Sequence, residues 1–106
     1  MALVHFTQTR QTLIAYLEGE LDHHVSQPLR EQIDAQILSL TPVRLILDFS
    51  GISFMDSSGI GLILGRKTMM KVLGGKLTIQ NPPPQIVRIL RMAQIPVEIT
   101  QEVMAR

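Results

Sequence analysis

The stretch that decides the fold is Asp-Phe-Ser-Gly-Ile-Ser-Phe-Met-Asp-Ser-Ser-Gly-Ile-Gly-Leu-Ile-Leu-Gly, residues 48 to 65. A short apolar strand, Val43 to Phe49, runs into a polar loop, and Asp56, Ser57 and Ser58 then begin a long apolar helix. A serine at a helix start lies beside unpaired backbone N–H groups and the positive end of the helix dipole. This position tolerates a phosphate group. On the residues alone, Asp56 or Ser57 as a plain helix cap is the alternative interpretation.

The flanking sequence predicts alternating strands and helices. Residues 3–7 and 12–17 suggest an antiparallel pair, although residues 8–11 lack the Gly or Asn of a tight hairpin. From residue 26, apolar side chains at helical spacing predict an amphipathic helix that ends at 41–42. The central helix runs from 57 to 73, stops at two glycines, and joins strand 76–79 in a right-handed βαβ unit. A third helix after prolines 82–84 and an edge strand at 97–99 complete the chain.

Composition excludes several classes of protein. The chain has 106 residues, 45% of them apolar, which predicts one folded domain. The formal net charge of +1 gives no field for nucleic acid, so direct DNA or RNA binding is not expected. Without cysteine there is no disulfide framework or thiolate metal site. No signal peptide is evident and no apolar run is long enough for a bilayer, so we expect a cytoplasmic protein without a membrane partner.

Three segments resemble the anti-sigma factor antagonist family, whose fold is the STAS domain. They are Glu-Gly-Glu-Leu-Asp-His-His at 18–24, Leu-Ile-Leu-Asp-Phe at 45–49 followed by Phe-Met-Asp-Ser-Ser-Gly-Ile-Gly at 54–61, and Gly-Gly-Lys-Leu at 74–77. The resemblance implies an α/β fold with a mixed, mostly parallel sheet of four to five strands and helices mainly on one face. It also implies a single domain over residues 1–106, with a C-terminal helix shorter than is usual in the family.

The resemblance further implies a function. The unphosphorylated protein would bind an anti-sigma factor that is also a serine kinase, releasing the sigma factor. The kinase would use ATP to phosphorylate Ser58 and end the interaction, and a serine phosphatase would restore it. The domain itself would be no enzyme, need no cofactor and be a monomer when free. The implied partner-binding residues are Glu20, Asp22, His23, Asp56, Ser57, Ser58, Gly59, Ile60 and Gly61.

Asp22-His23-His24 favours the sporulation branch of the family over an antagonist in a general stress pathway. A small-molecule or lipid-sensing STAS module is a further alternative, as is a plain capping role for the Asp22 loop. Adjacent histidines diverge rather than chelate, so no metal site is expected. The chain lacks the Gly-x-Ser-x-Gly elbow of hydrolases and the Walker lysine, so no catalytic residue is assigned.

Ser57, Gly61 and Gly65 form a stripe of nearly bare backbone on the central helix. Each mid-helix glycine destabilises a helix by about 1 kcal/mol relative to alanine. Two interpretations remain open: close approach of the helix to its sheet, or a flat docking surface for a partner. For phosphorylation we expect a local electrostatic and steric switch rather than a change of fold, because added phosphate would repel neighbouring carboxylates.

Overall fold

The computed structural model describes residues 2–101, which form one five-stranded sheet and three helices. In the sheet the strands follow chain order, with the first pair antiparallel and the other three pairs parallel. This arrangement confirms the predicted α/β class and its mixed, mostly parallel sheet. The elements are β1 (Ala2–Thr9), β2 (Thr12–Leu21), α1 (Ser26–Leu40), β3 (Arg44–Met55), α2 (Ser57–Val72), β4 (Lys76–Gln80), α3 (Pro84–Met92) and β5 (Glu98–Thr100).

The three helices lie on one face of the sheet. Each connects two neighbouring parallel strands, and the sheet always grows in the same direction. Since such crossovers are right-handed, all three helices fall on the same side. Apolar side chains on alternate strand positions fill that side, and no helix within residues 2–101 covers the opposite face. The largest wholly buried members of the core are Phe49, Leu13, Leu17, Leu21, Leu29, Ile33, Ile37, Leu45, Leu47, Ile52, Leu62 and Ile63.

The third strand is longer than its sequence suggests. The prediction ended the strand at Phe49 and placed a polar loop after it, whereas β3 continues to Met55. That boundary was wrong because the stretch from 51 to 55 pairs with an equally extended β2, which runs to Leu21 rather than 17. Two register shifts in this pairing change which side chains point towards the helices. As a result, Ile52 and Met55, three residues apart, are both buried in the core.

The first hairpin is tight despite its sequence. Thr9 pairs with Thr12, leaving a two-residue loop in which Arg10 adopts a φ of 54°. Glycine or asparagine usually occupies such a position, and neither is present here, so residues 8–11 carry no strong turn signal. At the other end of the chain, the expected C-terminal helix falls on residues outside the described range.

Candidate functional site

The candidate site is built around the turn between β3 and α2. Asp56 is the N-cap of α2, in an extended conformation, and its carboxylate accepts a hydrogen bond of 2.8 Å from the backbone N–H of Ser58. The same carboxylate oxygen accepts a bond from the Ser58 hydroxyl. Aspartate is among the best N-caps because it satisfies N–H groups that have no partner inside the helix. The capping interpretation of Asp56 is therefore confirmed, and it ties Ser58 to this carboxylate.

The two serines of the turn differ in availability. Ser58 is half-buried, and its hydroxyl is engaged by Asp56. Ser57 is exposed, and its hydroxyl forms no hydrogen bond with any residue of the described range. Hydrogen bonds from the Ser58 hydroxyl and, to a lesser extent, from the Ser58 backbone N–H hold the pKa of Asp56 below its usual value. Asp56 is accordingly a stable anion near neutral pH, beside one engaged hydroxyl and one accessible hydroxyl.

The loop after β2 lies against this turn. The backbone N–H of Asp56 donates to the carbonyl of Leu21 at 3.2 Å, which holds the ends of the two strands together. His23 Nδ1 lies 3.8 Å from Asp56 Oδ2, and the His23 side chain is 73% exposed. The structure thus brings the Asp22–His24 loop and the serine turn together at the carboxyl end of the sheet, where parallel strands commonly carry binding sites.

Asp22 is not the cap of α1. The N-cap of that helix is Val25, which forms no side-chain capping bond. The Asp22 carboxylate accepts instead from the His24 N–H at 2.9 Å, and its carbonyl accepts from Val25 and Ser26. Asp22 therefore shapes the loop that presents the histidines, whose rings lie 4.0 Å apart, centroid to centroid.

The close-approach interpretation of the glycine stripe is wrong. A Cβ added at Gly61 or Gly65 would meet nothing within 4 Å, so no close neighbour requires these glycines. The glycine that permits close approach is Gly59, where an added Cβ would overlap Met55 and lie 3.2 Å from Leu21 Cδ2. The sequence pattern pointed to the wrong glycines because the stripe faces away from the sheet.

The remaining predicted residues spread over two faces. Glu20 lies on β2 opposite Phe54, on the sheet face that carries no helix. Ile60 is half-buried against the core, whereas Gly61 is exposed on α2. Phe54, 50% exposed beside Glu20, is a surface aromatic that the site prediction did not include. Its position within the quoted motif was the available signal.

Sequence reasoning also missed a buried carboxylate beyond the site. Asp48 is 3% exposed and accepts hydrogen bonds from Ser50, Gln80 and Asn81. Burial alone would raise the pKa of this carboxyl, but the bonds from Gln80, Ser50 and Asn81 together hold it below the usual value. Asp48 ties β3 to the end of β4, which is a structural role.

The site presents hydrogen-bonding and charged groups. Within residues 2–101, no three His, Asp or Glu side chains group in a way that would hold a metal ion. Across the same residues, no helix is both long and apolar enough to cross a membrane. What the site presents is an accessible hydroxyl at a helix N-terminus, an anionic cap and a neighbouring exposed histidine loop. Such a surface can accept a phosphate and contact a partner protein.

Comparisons with known proteins agree with this fold. A family model described as STAS domain matches residues 4–103. The chain is 39% identical over 85 residues to the anti-sigma F factor antagonist of Lysinibacillus sphaericus, covering 80% of this chain and 73% of that protein. The structure of the present chain resembles that of the anti-sigma factor antagonist SpoIIAA in its unphosphorylated form, with a TM-score of 0.84 and 30% sequence identity. The similarity covers 95% of this chain and 89% of SpoIIAA. For the phosphorylated form of the Bacillus SpoIIAA, the TM-score is 0.77 and the sequence identity is 30%. The similarity covers 95% of this chain and 92% of that one.

Proposed function

The chain belongs to the STAS domain family, and we propose that it acts as an anti-sigma factor antagonist. In this role the unphosphorylated form binds an anti-sigma factor that is also a serine kinase, and so releases the sigma factor. Phosphorylation by the kinase, with ATP, ends the interaction, and a serine phosphatase reverses it. The domain itself catalyses nothing and needs no cofactor. The named relative points to the sigma-F pathway, so the further proposal is control of sporulation-specific transcription in the cytoplasm.

One observation carries this proposal. The half-buried Ser58 hydroxyl and the exposed Ser57 hydroxyl lie at the N-terminus of α2, on the same surface as the Asp22–His24 loop. A kinase needs an accessible hydroxyl, and a partner-controlled switch needs that hydroxyl inside the recognition surface. Both conditions are met at one end of the sheet, where the fold places the loops after two neighbouring strands.

The geometry distinguishes the two serines as phosphate acceptors. The sequence predicts Ser58, whose hydroxyl donates to the Asp56 carboxylate and keeps its oxygen lone pairs for attack on a phosphoryl group. Ser57 is exposed, and its hydroxyl has no such bond to break. Ser58 therefore stays the proposed acceptor, because the neighbouring carboxylate can accept the hydroxyl proton during phosphoryl transfer, and Ser57 is the alternative acceptor.

A phosphate in this turn would act locally. It would add a charge of about −1.5 to −2 next to the Asp56 carboxylate, which already lies in the proposed recognition surface. A difference of about 1.4 kcal/mol in binding free energy changes affinity tenfold, so repulsion by one phosphate can weaken binding strongly without a change of fold. The similarity of this chain to SpoIIAA in both its unphosphorylated and its phosphorylated form supports a switch of this kind.

The test is to incubate the protein with its candidate anti-sigma kinase and ATP, and to locate the phosphate by mass spectrometry. Ser57→Ala, Ser58→Ala and the double variant are compared, with Ser53→Ala as an exposed serine outside the turn. We expect Ser58→Ala to lose phosphorylation while the Ser53 control keeps it. Loss only in Ser57→Ala would move the acceptor to Ser57. Phosphorylation of the double variant, or no binding of the unphosphorylated protein to the kinase, would refute the proposed function.

A further inference from the structure

A polar cleft lies between α1 and α2, the two helices that begin at the candidate site. α1 follows the Asp22–His24 loop, and α2 follows the serine turn. The cleft has a volume of about 190 Å³ and is lined by Gln27, Arg30, Glu31, Asp34 and Arg66. None of these side chains is apolar, and none belongs to the predicted partner surface. The cleft is therefore a separate cluster of charged groups that the proposed function does not use.

Arg66 reaches this cleft from α2 and is only 9% exposed. Its Nε lies 2.9 Å from Asp34 Oδ1, but the N–H bond is not directed at that oxygen, so the contact is an ion pair without a hydrogen bond. Its Nη1 is also buried, and no group within residues 2–101 accepts a hydrogen bond from it. Two nitrogen atoms of one buried guanidinium therefore lack an acceptor in the described part of the chain.

Arg30 brings a second guanidinium to the cleft, from α1. Its side chain is half-buried, and its Nε is a further buried donor without an acceptor among residues 2–101. Burial lowers the pKa of Arg66, Asp34 opposes that effect, and the Arg30 charge lowers the pKa further, so the two guanidiniums are close enough to repel each other. Buried N–H groups in folded proteins nearly always have an acceptor. Two neighbouring cations with unmatched donors therefore line one small cleft.

The carboxylates of the cleft do not balance these cations. Asp34 is in contact with Arg66 but forms no hydrogen bond with it. Glu31 is exposed, where solvent screens its charge, and its carboxylate accepts from Gln27 Nε2 at 3.3 Å. The less exposed part of the cleft thus holds two guanidiniums and one carboxylate. A bound cation would be repelled by both arginines and would leave their N–H groups without acceptors.

We propose that this cleft binds one oxyanion, a carboxylate or a phosphate group. Guanidinium N–H groups form short, charge-assisted hydrogen bonds with both of these groups. A volume of about 190 Å³ corresponds to about six water molecules at about 30 Å³ each, so it admits a single such group rather than a large ligand. This site goes beyond the proposed antagonist function and does not depend on it.

The test is a titration of inorganic phosphate into the isotope-labelled whole chain at constant ionic strength, followed by NMR of the arginine Nε–H groups. We expect the signals of Arg30 and Arg66 to move together and to saturate, whereas that of the exposed Arg10 does not. Arg30→Gln should weaken phosphate binding, read at Arg66, by about tenfold, because it removes one of two guanidiniums. Arg10→Gln is the matched control and should bind as the native chain does.

Two further arms identify the oxyanion and its source. Acetate in place of phosphate shows whether a carboxylate is accepted. The candidate anti-sigma kinase, added in phosphate-free buffer, shows whether a partner side chain supplies the group: movement of both arginine signals assigns the oxyanion to the partner, and unmoved signals assign it to a free ion.

The proposal would be overturned if neither phosphate nor acetate moved the two signals, or if chloride moved them equally. An unchanged phosphate response in Arg30→Gln would overturn it as well. Circular dichroism of each variant shows whether it is folded. A negative result would leave the antagonist proposal untouched, because that proposal is tested by phosphorylation of a turn whose residues do not line the cleft.

Discussion

Substituting alanine at Gly59 and at Gly61 should have opposite effects on stability. Both glycines lie in α2, two residues apart, and both are replaced by the residue with the highest helix propensity. At Gly59 the new Cβ would overlap Met55, which is 4% exposed and has little room to move. At Gly61 it would meet nothing within 4 Å. The comparison isolates packing from propensity within one helix.

The magnitudes follow from these surroundings. Gly61→Ala should raise the free energy of unfolding by about 0.5–1 kcal/mol, through helix propensity alone. For a domain of this size, that corresponds to an increase in melting temperature of about 2–6 °C. Gly59→Ala gains the same propensity but overpacks the core, which destabilises by about 1–3 kcal/mol. Its net effect should be a loss of about 0.5–2 kcal/mol.

Urea and thermal unfolding followed by circular dichroism measure both changes. A kinase-binding assay adds a second reading, since Gly61 lies within the predicted partner surface. We expect Gly61→Ala to be more stable than the native chain and to bind the anti-sigma factor more weakly. A destabilised Gly61→Ala would show that the exposed stripe has an unrecognised structural neighbour. A stabilised Gly59→Ala would contradict the tight packing of α2 on Met55 and Leu21.

Two further predictions concern charges. Arg66 is 9% exposed, and its Nε lies 2.9 Å from Asp34 Oδ1. Asp34→Ala should therefore destabilise by about 1–3 kcal/mol in urea unfolding, because it leaves the buried Arg66 charge without a partner. Arg66→Met should cost less, because the charge that it leaves without a partner, on Asp34, is 32% exposed and can be solvated. The second prediction concerns Asp48, whose pKa is lower in the folded protein than its usual value of 3.8. The stability that this carboxylate contributes is therefore fully present above pH 3.8 and is lost as the pH falls through the folded-state pKa. At pH 7, Asp48→Ala should lower the free energy of unfolding by about 1–3 kcal/mol, because the Gln80 and Asn81 amides lose this acceptor. The variant should also lose less stability than the native chain as pH falls. An unchanged pH dependence of unfolding would exclude Asp48 as its source.

Local signals were sufficient where a residue's role depends on its chain neighbours. Asp56 caps α2 because it immediately precedes the helix, and the two glycines at 74–75 end that helix because Gly74 adopts a φ of 80°. The alternation of apolar residues and the helical spacing from 26 to 40 predicted the strands and α1. Each of these follows from backbone geometry within a few residues.

Other features depended on which strands became neighbours. Residues 50–54 look like a loop, yet they form strand because β2 extends to Leu21 beside them. The identity of the close-packed glycine, Gly59 rather than Gly61, depends on the rotation of α2 relative to the sheet. No local pattern encodes either, because each depends on a surface contributed by another part of the chain.

The amino-acid order alone determined the α/β class, the polar turn that begins α2, and the absence of a thiolate site, because propensity, capping and composition act locally. Tertiary structure decided which hydroxyl of that turn is accessible and which loop lies beside it. It also placed the eight-residue β1 at an edge of the sheet. These properties depend on burial and on pairing between distant segments, which exist only once the sheet has formed.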